Sequence, residues 1–417
     1  MQLKRVVVTG IGTINPLGNN ISEYFNNLDN GTSGASLITR FDASLFKTKF
    51  ACEIKDFDPE KFGIDRKEAR KLDLFAQYAL AATAEAVKDA GIDPENMDLD
   101  RAGVIVGSGI GGIETMFQEI KGYFEGGCTP RFSPFLIPKM IPDIAAGHIS
   151  MKYGFRGPNF TTVSACASST NAMTDALNYI RLGKADIIVT GGSEAGISVP
   201  SIGGFNSAQA LSTNNDNYKT ASRPFDKTRD GFVMGEGAAT LIFEEYEHAV
   251  ARGAKIYAEV SGAGLSADAH HITAPHPEGF GATQVMKLAL QDAGLKPDSV
   301  DYINVHGTST PLGDIAELKA VKEIFGEHAY KLNISSTKSM TGHLLGATGA
   351  VEALACIHAI NSGIVPPTIN FEHEDPEIDY NLNLTLNKAQ KREVNVAMNN
   401  TFGFGGHNSC IIFSKVK

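Results

Sequence analysis

The segment AEAVKDAGIDP, residues 84–94, is echoed by MKLALQDAGLKP, residues 286–297. Each segment has the pattern of a helix that ends at a glycine, and the two lie 203 residues apart, measured from Asp89 to Asp292. Each then leads into an apolar run with a glycine turn, VIVGSGIGG from residue 104 and YINVHGTSTPLGD from residue 302. A period of this length is too long for a solenoid, so the echo predicts two similar halves that arose by duplication.

Short apolar runs bounded by glycine predict strands on either side of these helices. Such runs occupy residues 5–8, 102–106, 185–189, 238–243, 302–305 and 395–398. Between the first two, apolar residues at three- and four-residue spacing predict an amphipathic helix over residues 72–90, closed by Gly91. The alternation of strands and helices predicts an α/β protein with a largely buried sheet.

Composition excludes several classes of protein. A chain of 417 residues can bury a large core in two or three domains. Its net charge of −10 gives no general attraction to nucleic acid or to an anionic membrane. No apolar run approaches the 18 residues of a membrane span, and the amino terminus lacks the apolar core of a signal peptide. Five cysteines without C-x-x-C pairs predict a reducing, cytoplasmic location and no metal site.

The motif VSACASS, residues 163–169, is the first candidate for chemistry. It lies between a predicted strand over residues 160–163 and a predicted helix, so Cys166 occupies a strand-to-helix turn. The amides and dipole at a helix start favour a thiolate, and the small neighbouring residues leave room for a substrate. Viewed alone, a single cysteine more often fills space in a core.

Two further motifs follow predicted strands. HGTSTPLGD, residues 306–314, places His306 at the carboxyl end of a strand, where α/β proteins bind ligands. Asp314 is expected to cap the next helix, with Glu317 as its capping-box partner. KSMTGHLLGATGAVEA, residues 338–353, follows a strand over residues 332–337 and is expected to form a helix whose three glycines require close packing.

Two glycine-rich segments remain. NNTFGFGGHN, residues 399–408, can direct backbone amides at an oxyanion and hold Phe402 as a lid, although such loops are often only tight turns. VTGIGTINPLG, residues 8–18, has Asn15 where a dinucleotide fingerprint requires its third glycine, so no nicotinamide site is expected there.

Taken together, the four motifs of residues 163–169, 306–314, 338–353 and 399–408 resemble those of the elongating β-ketoacyl-acyl-carrier-protein synthases, in the same order and over the whole chain. The segment GSGIGG, residues 107–112, resembles the type II form of that family. The resemblance implies a thiolase-like fold, with two duplicated halves in helix-sheet-helix-sheet-helix layers. Residues 1–255 would carry the nucleophile and residues 256–417 the two histidines, and the protein would be a homodimer.

The resemblance also implies the reaction, a decarboxylative condensation that lengthens a fatty acyl group by two carbons. Cys166 would accept the acyl group, with the amides of Cys166 and Phe402 as the oxyanion hole. His306 and His343, both neutral, would stabilise the enolate formed from malonyl-carrier protein. Lys338 would help keep these imidazoles uncharged.

The remaining site residues follow from the same resemblance. Ile110 would gate the acyl pocket, while Thr308, Thr310 and Asp268 would line the channel for the pantetheine arm. Glu352 would support the site. The enzyme would need no cofactor of its own, because 4′-phosphopantetheine arrives on the acyl carrier protein.

An acidic enzyme needs a local basic patch to meet an acidic carrier protein. Such a docking patch is predicted on one helical face from residues spaced at i, i+1, i+4 and i+5, with one later residue joining it: Arg66, Lys67, Arg70, Lys71 and Arg131. A solvated charge run is the usual explanation of such a pattern. Gln209 and Phe132 stand where relatives often have a basic residue, which weakens the patch.

Three alternatives stay open at this point. A degradative thiolase would use a second cysteine, for which Cys410 is the late candidate. A non-catalytic partner subunit of a polyketide system would usually have lost the nucleophile. A cysteine hydrolase also needs cysteine and histidine, although two histidines and a lysine suit an enolate better than they suit the activation of water.

Overall fold

The computed structural model describes residues 3–416. The strands are β1 Val6–Ile14, β2 Ser36–Leu37, β3 Phe50–Ala51, β4 Ala102–Gly107, β5 Asn159–Thr162, β6 Ile187–Glu194, β7 Gly237–Glu245, β8 Ala258–Ala267, β9 Tyr302–Asn304, β10 Asn333–Ser335, β11 Ile364–Val365, β12 Gln390–Lys391, β13 Val396–Gly403 and β14 His407–Ser414. The α-helices are α1 Ile21–Asp29, α2 Arg66–Ala69, α3 Leu74–Asp89, α4 Ile113–Glu125, α5 Leu136–Met140, α6 Ile144–Tyr153, α7 Ser168–Arg181, α8 Val199–Ser207, α9 Tyr246–Ala251, α10 Phe280–Ala293, α11 Pro311–Phe325, α12 Lys338–Thr341 and α13 Thr348–Ser362.

The strand order shows the duplication directly. The large sheet runs β10-β9-β13-β14-β8-β1-β7-β6-β4-β5 and is joined at its middle by a short antiparallel contact between β1 and β8. Read outward from that contact, one half is β1-β7-β6-β4-β5 and the other is β8-β14-β13-β9-β10. The sequence of antiparallel and parallel pairings is also the same in both halves. The predicted α/β fold of two duplicated halves is therefore confirmed.

The helices complete a layered arrangement. Helix α3 covers the first half-sheet and α10 the second. Helices α7 and α13 pack against each other between the half-sheets. The residues that α13 buries belong to a single apolar core, which also contains residues of both half-sheets. The starts of these two central helices are therefore brought together inside the molecule. The predicted boundary of the two halves, between residues 255 and 256, falls between α9 and β8. This domain boundary stays a prediction.

The echoed segments make equivalent contacts. A Cβ atom added to Gly12 on β1 would lie 2.1 Å from the carbonyl oxygen of Ala82 on α3. One added to Gly264 on β8 would lie 2.4 Å from the carbonyl oxygen of Val285 on α10. In both halves a strand glycine thus allows the outer helix to pack directly on the strand backbone.

Two local expectations were wrong. Residues 338–353 form two helices rather than one, because the chain turns at Gly342 with φ +69°. A Cβ there would lie 2.9 Å from Cys52 Sγ and 2.9 Å from the carbonyl oxygen of Val233, so tertiary packing fixes the break. Asp314 is not a helix cap either, since α11 already begins at Pro311.

Among residues 3–416, none of the helices is both long and apolar enough to cross a membrane.

The strand glycines give a stability prediction. Gly12→Ala and Gly264→Ala each force a methyl group against helix backbone, so we expect each to lower the unfolding free energy by about 1–3 kcal/mol. Gly122→Ala is the matched control, because that exposed position in α4 has open space around it and alanine favours a helix by up to about 1 kcal/mol. Urea unfolding followed by circular dichroism measures all three. Equal stability of the three variants would contradict the proposed packing.

Candidate active site

A single cavity of about 540 Å³ collects side chains from both halves of the chain. Of the residues predicted from the sequence, the following line it: Cys166, His306, His343, Phe402, Ile110, Thr308, Thr310 and Asp268. Lys338 and Glu352 lie buried behind the histidines rather than on the cavity wall. The residues of the predicted docking patch lie outside the cavity, on the surface.

Cys166 lies in the turn between β5 and α7, two residues before the first residue of the helix. The turn is sharp because Ala165 adopts φ +50°, a left-handed conformation that non-glycine residues rarely take. Cys166 Sγ lies 3.0 Å from His343 Nε2 and accepts a hydrogen bond from the Phe404 amide. Burial nevertheless raises the pKa of the Cys166 thiol to about 12, against the lowering effect of Lys338. Burial thus outweighs the expected effect of the helix start and favours the thiol form of Cys166 over the thiolate.

His343 lies in the loop between α12 and α13 and is fixed through its backbone. Its amide donates to the Val233 carbonyl oxygen at 2.7 Å, and its carbonyl oxygen accepts from the Gly235 amide at 2.9 Å. Nδ1 of the ring lies 2.9 Å from Thr348 Oγ1. Burial, with a further contribution from the Lys338 charge, lowers the pKa of His343 well below its usual range, so the imidazole is neutral.

His306 follows β9 and is held by a buried carboxylate. Glu317 accepts from the amides of His306 and Gly307, each at 2.8 Å, which is the contact it makes in place of the expected capping box. The His306 ring lies edge-on to the His343 ring, with 5.3 Å between centroids. Burial, Lys338 and His343 together lower the pKa of His306 well below its usual range. Two neutral imidazoles therefore face one cavity.

Lys338 forms an ion pair with Glu352, and each residue is only 1% exposed. Burial raises the pKa of Glu352 to about 7, while the Lys338 charge acts in the opposite direction. A charge buried next to the histidines disfavours a second positive charge on either ring. The Lys338 charge therefore adds to the effect of burial in keeping both imidazoles neutral, although the ion pair does not line the cavity.

The oxyanion role predicted for Phe402 requires a correction. Phe402 lines the cavity, and its ring lies 5.5 Å from the His306 ring, but it is still paired within β13. The amide that donates to Cys166 Sγ is that of Phe404, two residues further along. The sequence motif FGFGG contains both phenylalanines and gives no sign of which amide faces the sulfur.

The cavity wall has two chemically different parts, an apolar arm and a polar arm. One arm is lined by Ile110 and by aromatic residues that sequence reasoning missed, including Phe205 and Phe232, whose rings meet at 5.4 Å. The other arm contains Thr308 and Thr310, whose hydroxyls lie 3.0 Å apart.

Asp268, also on the cavity wall, accepts from Asn408 Nδ2 at 2.8 Å. Its carboxylate adds a polar group to the wall, so the apolar part of the wall suits an apolar tail and the polar part suits a polar tether.

Glu194 is a second residue that the sequence analysis missed. This fully buried carboxylate accepts from the amides of Gly109 at 2.7 Å, Ile110 at 3.1 Å and Gly346 at 3.0 Å. It thereby joins the wall of the apolar arm to the segment that follows His343. An acidic residue at the end of the apolar run IIVTGGSE was the available signal.

The predicted docking patch is exposed but only partly helical. Helix α2 covers four residues, Arg66–Ala69, and Arg70 caps it. Lys71 Nζ lies 5.7 Å from the Phe135 ring centroid, so the patch borders an exposed apolar side chain. Arg131 is exposed, and its place in the patch stays a prediction.

Cys410, the second cysteine that a thiolase would need, does not line the cavity. It lies in β14, is fully buried, and burial raises the pKa of its thiol well above the usual value. Because Cys410 does not line the cavity, the thiolase alternative loses its candidate for the second cysteine. Within residues 3–416, no group of three or more His, Cys, Asp or Glu side chains is arranged to hold a metal ion.

Two protein-family models match this chain. Residues 3–249 match the family model for the β-ketoacyl synthase N-terminal domain, and residues 257–372 match that for the C-terminal domain. The chain is 49% identical over 414 residues, 99% of each protein, to the 3-oxoacyl-[acyl-carrier-protein] synthase 2 of Staphylococcus aureus strain N315.

Solved structures give the same result. A β-ketoacyl synthase from Burkholderia phymatum STM815 superposes with a TM-score of 0.91 at 35% identity, covering 99% of this chain and 100% of that one. A ketosynthase solved in complex with a type II PKS acyl carrier protein has a TM-score of 0.90 at 34% identity, with full coverage of both chains.

The buried ion pair gives the prediction of this section. Glu352→Ala leaves the Lys338 ammonium buried without its partner, so we expect the unfolding free energy to fall by about 3–5 kcal/mol. Glu352→Gln, which keeps a hydrogen-bond acceptor, should cost less. Glu60→Ala removes the partner of Arg66 in an exposed pair and should cause no resolvable change. Chemical unfolding curves measure the three variants, and equal effects at Glu352 and Glu60 would contradict the role of the buried pair.

Proposed function

The chain belongs to the β-ketoacyl synthase family, and from this premise we propose that Cys166, His306, His343 and Lys338 carry out its condensation reaction. The full-length matches confirm the predicted activity, that of a 3-oxoacyl-[acyl-carrier-protein] synthase, an elongating acyltransferase. The observation that carries the residue assignment is the 3.0 Å contact of Cys166 Sγ with His343 Nε2, made between the two halves in one cavity.

The first half-reaction loads the enzyme. The Cys166 sulfur attacks the thioester carbonyl of an acyl group on its carrier, and a new thioester forms as the bond to the pantetheine sulfur breaks. The cysteine proton leaves on that sulfur as the free thiol. The amides of Cys166 and Phe404 would stabilise the tetrahedral oxyanion, and the acyl tail would occupy the arm lined by Ile110.

The second half-reaction makes the carbon–carbon bond. A malonyl thioester loses carbon dioxide, and the bonding electrons pass into an enolate. Neutral His306 and His343 would donate N–H groups to the enolate oxygen, each typically worth about 3 kcal/mol. The enolate carbon then attacks the acyl carbonyl, the bond to Cys166 breaks, and the released thiolate takes up one proton from solvent to restore the thiol.

The neutral state of the site favours condensation over hydrolysis. A hydrolase needs a base that removes a proton from water, and a buried imidazole near a lysine charge is a weak base. The same imidazole remains a good donor, which is what an enolate requires. The intact Cys166 likewise supports an enzyme rather than a non-catalytic partner subunit.

We also propose acyl carrier protein as the partner, bearing acyl and then malonyl groups. A solved ketosynthase of 34% identity is held in complex with such a carrier. The prosthetic group of this chemistry, 4′-phosphopantetheine, would enter on the carrier through the arm with Thr308 and Thr310, and no resident cofactor is proposed. The exposed basic residues of α2 and its flanks would dock the acidic carrier in the cytoplasm.

A homodimer is the proposed assembly, and the two sheet edges support it. Edge strand β5 is followed by Val163, which is 59% exposed, and the strand residues themselves are partly exposed. The opposite edge, β10, is buried and covered, since the Ile334 amide donates to the Asn383 carbonyl oxygen at 2.8 Å. An uncovered edge with an apolar residue is suited to pair with a second copy.

Trapping the intermediate tests the proposed nucleophile. After exposure to acyl-carrier protein, intact mass spectrometry should show one acyl group on Cys166, and malonyl-carrier protein should remove it as a ketone two carbons longer. Cys166→Ala should show neither event, whereas Cys410→Ala, outside the cavity, should show both. Elongation by the Cys166→Ala protein would refute the assignment.

Charge reversal tests the docking patch. Lys67→Glu with Arg70→Glu should raise KM for carrier-bound substrates by on the order of tenfold, because two attractive charges become repulsive. The reaction with a free acyl-pantetheine thioester should not change, and added salt should reduce the difference. Lys287→Glu with Lys296→Glu, at two exposed lysines in the other half, serves as the charge-matched control. An equal rise in both would place docking elsewhere.

A further inference from the structure

Thr348 is a buried polar residue that the reaction described above does not use. It is the first residue of α13 and is 1% exposed. Its hydroxyl lies 2.9 Å from His343 Nδ1. Among the hydrogen bonds of residues 3–416, the Thr348 hydroxyl pairs with His343 Nδ1.

The contacts of the His343 ring fix its position, and its tautomer is the one property that they leave open. Backbone bonds on both sides of the residue fix its location, and the ring packs edge-on against Phe232, at 5.1 Å, and against His306, at 5.3 Å. Nδ1 faces Thr348 and Nε2 faces Cys166. What remains is which nitrogen of the neutral ring carries the proton.

Counting donors and acceptors decides between the two tautomers. With the proton on Nε2, the Thr348 O–H donates to Nδ1 and Nε2–H points at sulfur, so the thiol S–H is the group without an acceptor. With the proton on Nδ1, that N–H donates to Thr348 and the thiol can donate to Nε2, which leaves the Thr348 O–H unpaired. A buried hydroxyl is costly to leave unpaired, whereas S–H is a weak donor.

We propose that Thr348 is a positioning residue whose hydroxyl holds His343 in the tautomer that carries its proton on Nε2. The consequence for catalysis rests on the proposed function, since Nε2–H is then aimed at the oxygen of the nascent enolate. Once Cys166 is acylated its sulfur has no proton, so the other tautomer loses the S–H donor as well. The preference for Nε2–H therefore increases at the stage that needs it.

The tautomer can be measured without any substrate. Protein labelled with ¹⁵N-histidine, with the His343 signals assigned by their loss in His343→Asn, should give the nitrogen shifts of an Nε2–H imidazole. Thr348→Val removes the hydroxyl at nearly constant shape and should move the signals toward a tautomer mixture. Thr348→Ser keeps the hydroxyl and should retain the original pattern. Thr348→Ala accompanies them in case valine does not fold.

The two half-reactions provide the second readout. We expect Thr348→Val to slow malonyl decarboxylation by about tenfold, corresponding to the loss of one buried hydrogen bond, while acylation of Cys166 changes by less than about twofold. Thr348→Ser should restore decarboxylation. A purely structural role would lower both half-reactions together.

Each outcome has a distinct meaning. His343 shifts that are the same in wild type, Thr348→Val and Thr348→Ala would overturn the role of Thr348, whatever the enzyme does. If the ¹⁵N shifts of His343 move in both variants while the rate of decarboxylation is unaffected, the proposed contribution of Thr348 to catalysis would be overturned. A wild-type protein that shows the Nε2–H pattern but forms no acyl adduct would instead contradict the proposed function and leave the tautomer assignment standing.

Discussion

Burial of the reacting groups between the two halves is the constraint on which this site depends. Desolvation raises the pKa of the Cys166 thiol and lowers the pKa values of His306 and His343, so all three groups are neutral at rest. The ion pair of Lys338 with Glu352 lies behind them and adds to the lowering at both histidines. A neutral, enclosed site can donate hydrogen bonds to a carbanion without protonating it.

The duplicated topology explains how such a site is assembled. Cys166 follows β5 and His343 lies beyond β10, and these edge strands occupy corresponding places in the two half-sheets. The loop with Ile110 follows β4 and His306 follows β9, which also correspond. The two halves thus present equivalent strand ends to one cavity, but they place different side chains there. In the proposed function, one half supplies the nucleophile and the pocket for the acyl tail, and the other half supplies the hydrogen-bond donors.

The features predicted correctly from the sequence are those that depend on the local pattern of residues. The alternating strands and helices and the duplication were readable, because periodicity and spacing carry them. The set of Cys166, His306 and His343 was readable only through its resemblance to a known family. The break at Gly342 was not, since it is fixed by contacts with residues distant in sequence. The choice between Phe402 and Phe404 depends on where a strand ends. The state of the Cys166 thiol depends on depth of burial, which outweighs the visible effect of a helix start.

Glu194 restricts the movement of the main chain on the apolar side of the cavity. Its carboxylate accepts from the successive amides of Gly109, Ile110 and Gly111 and, across the cavity wall, from Gly346. A shift of the Ile110 backbone would break several buried hydrogen bonds at once and would disturb the segment beside His343. In the proposed function, selectivity for longer or bulkier acyl tails would therefore evolve through side-chain size at positions such as Ile110 and Phe205, because the main chain around Ile110 is fixed.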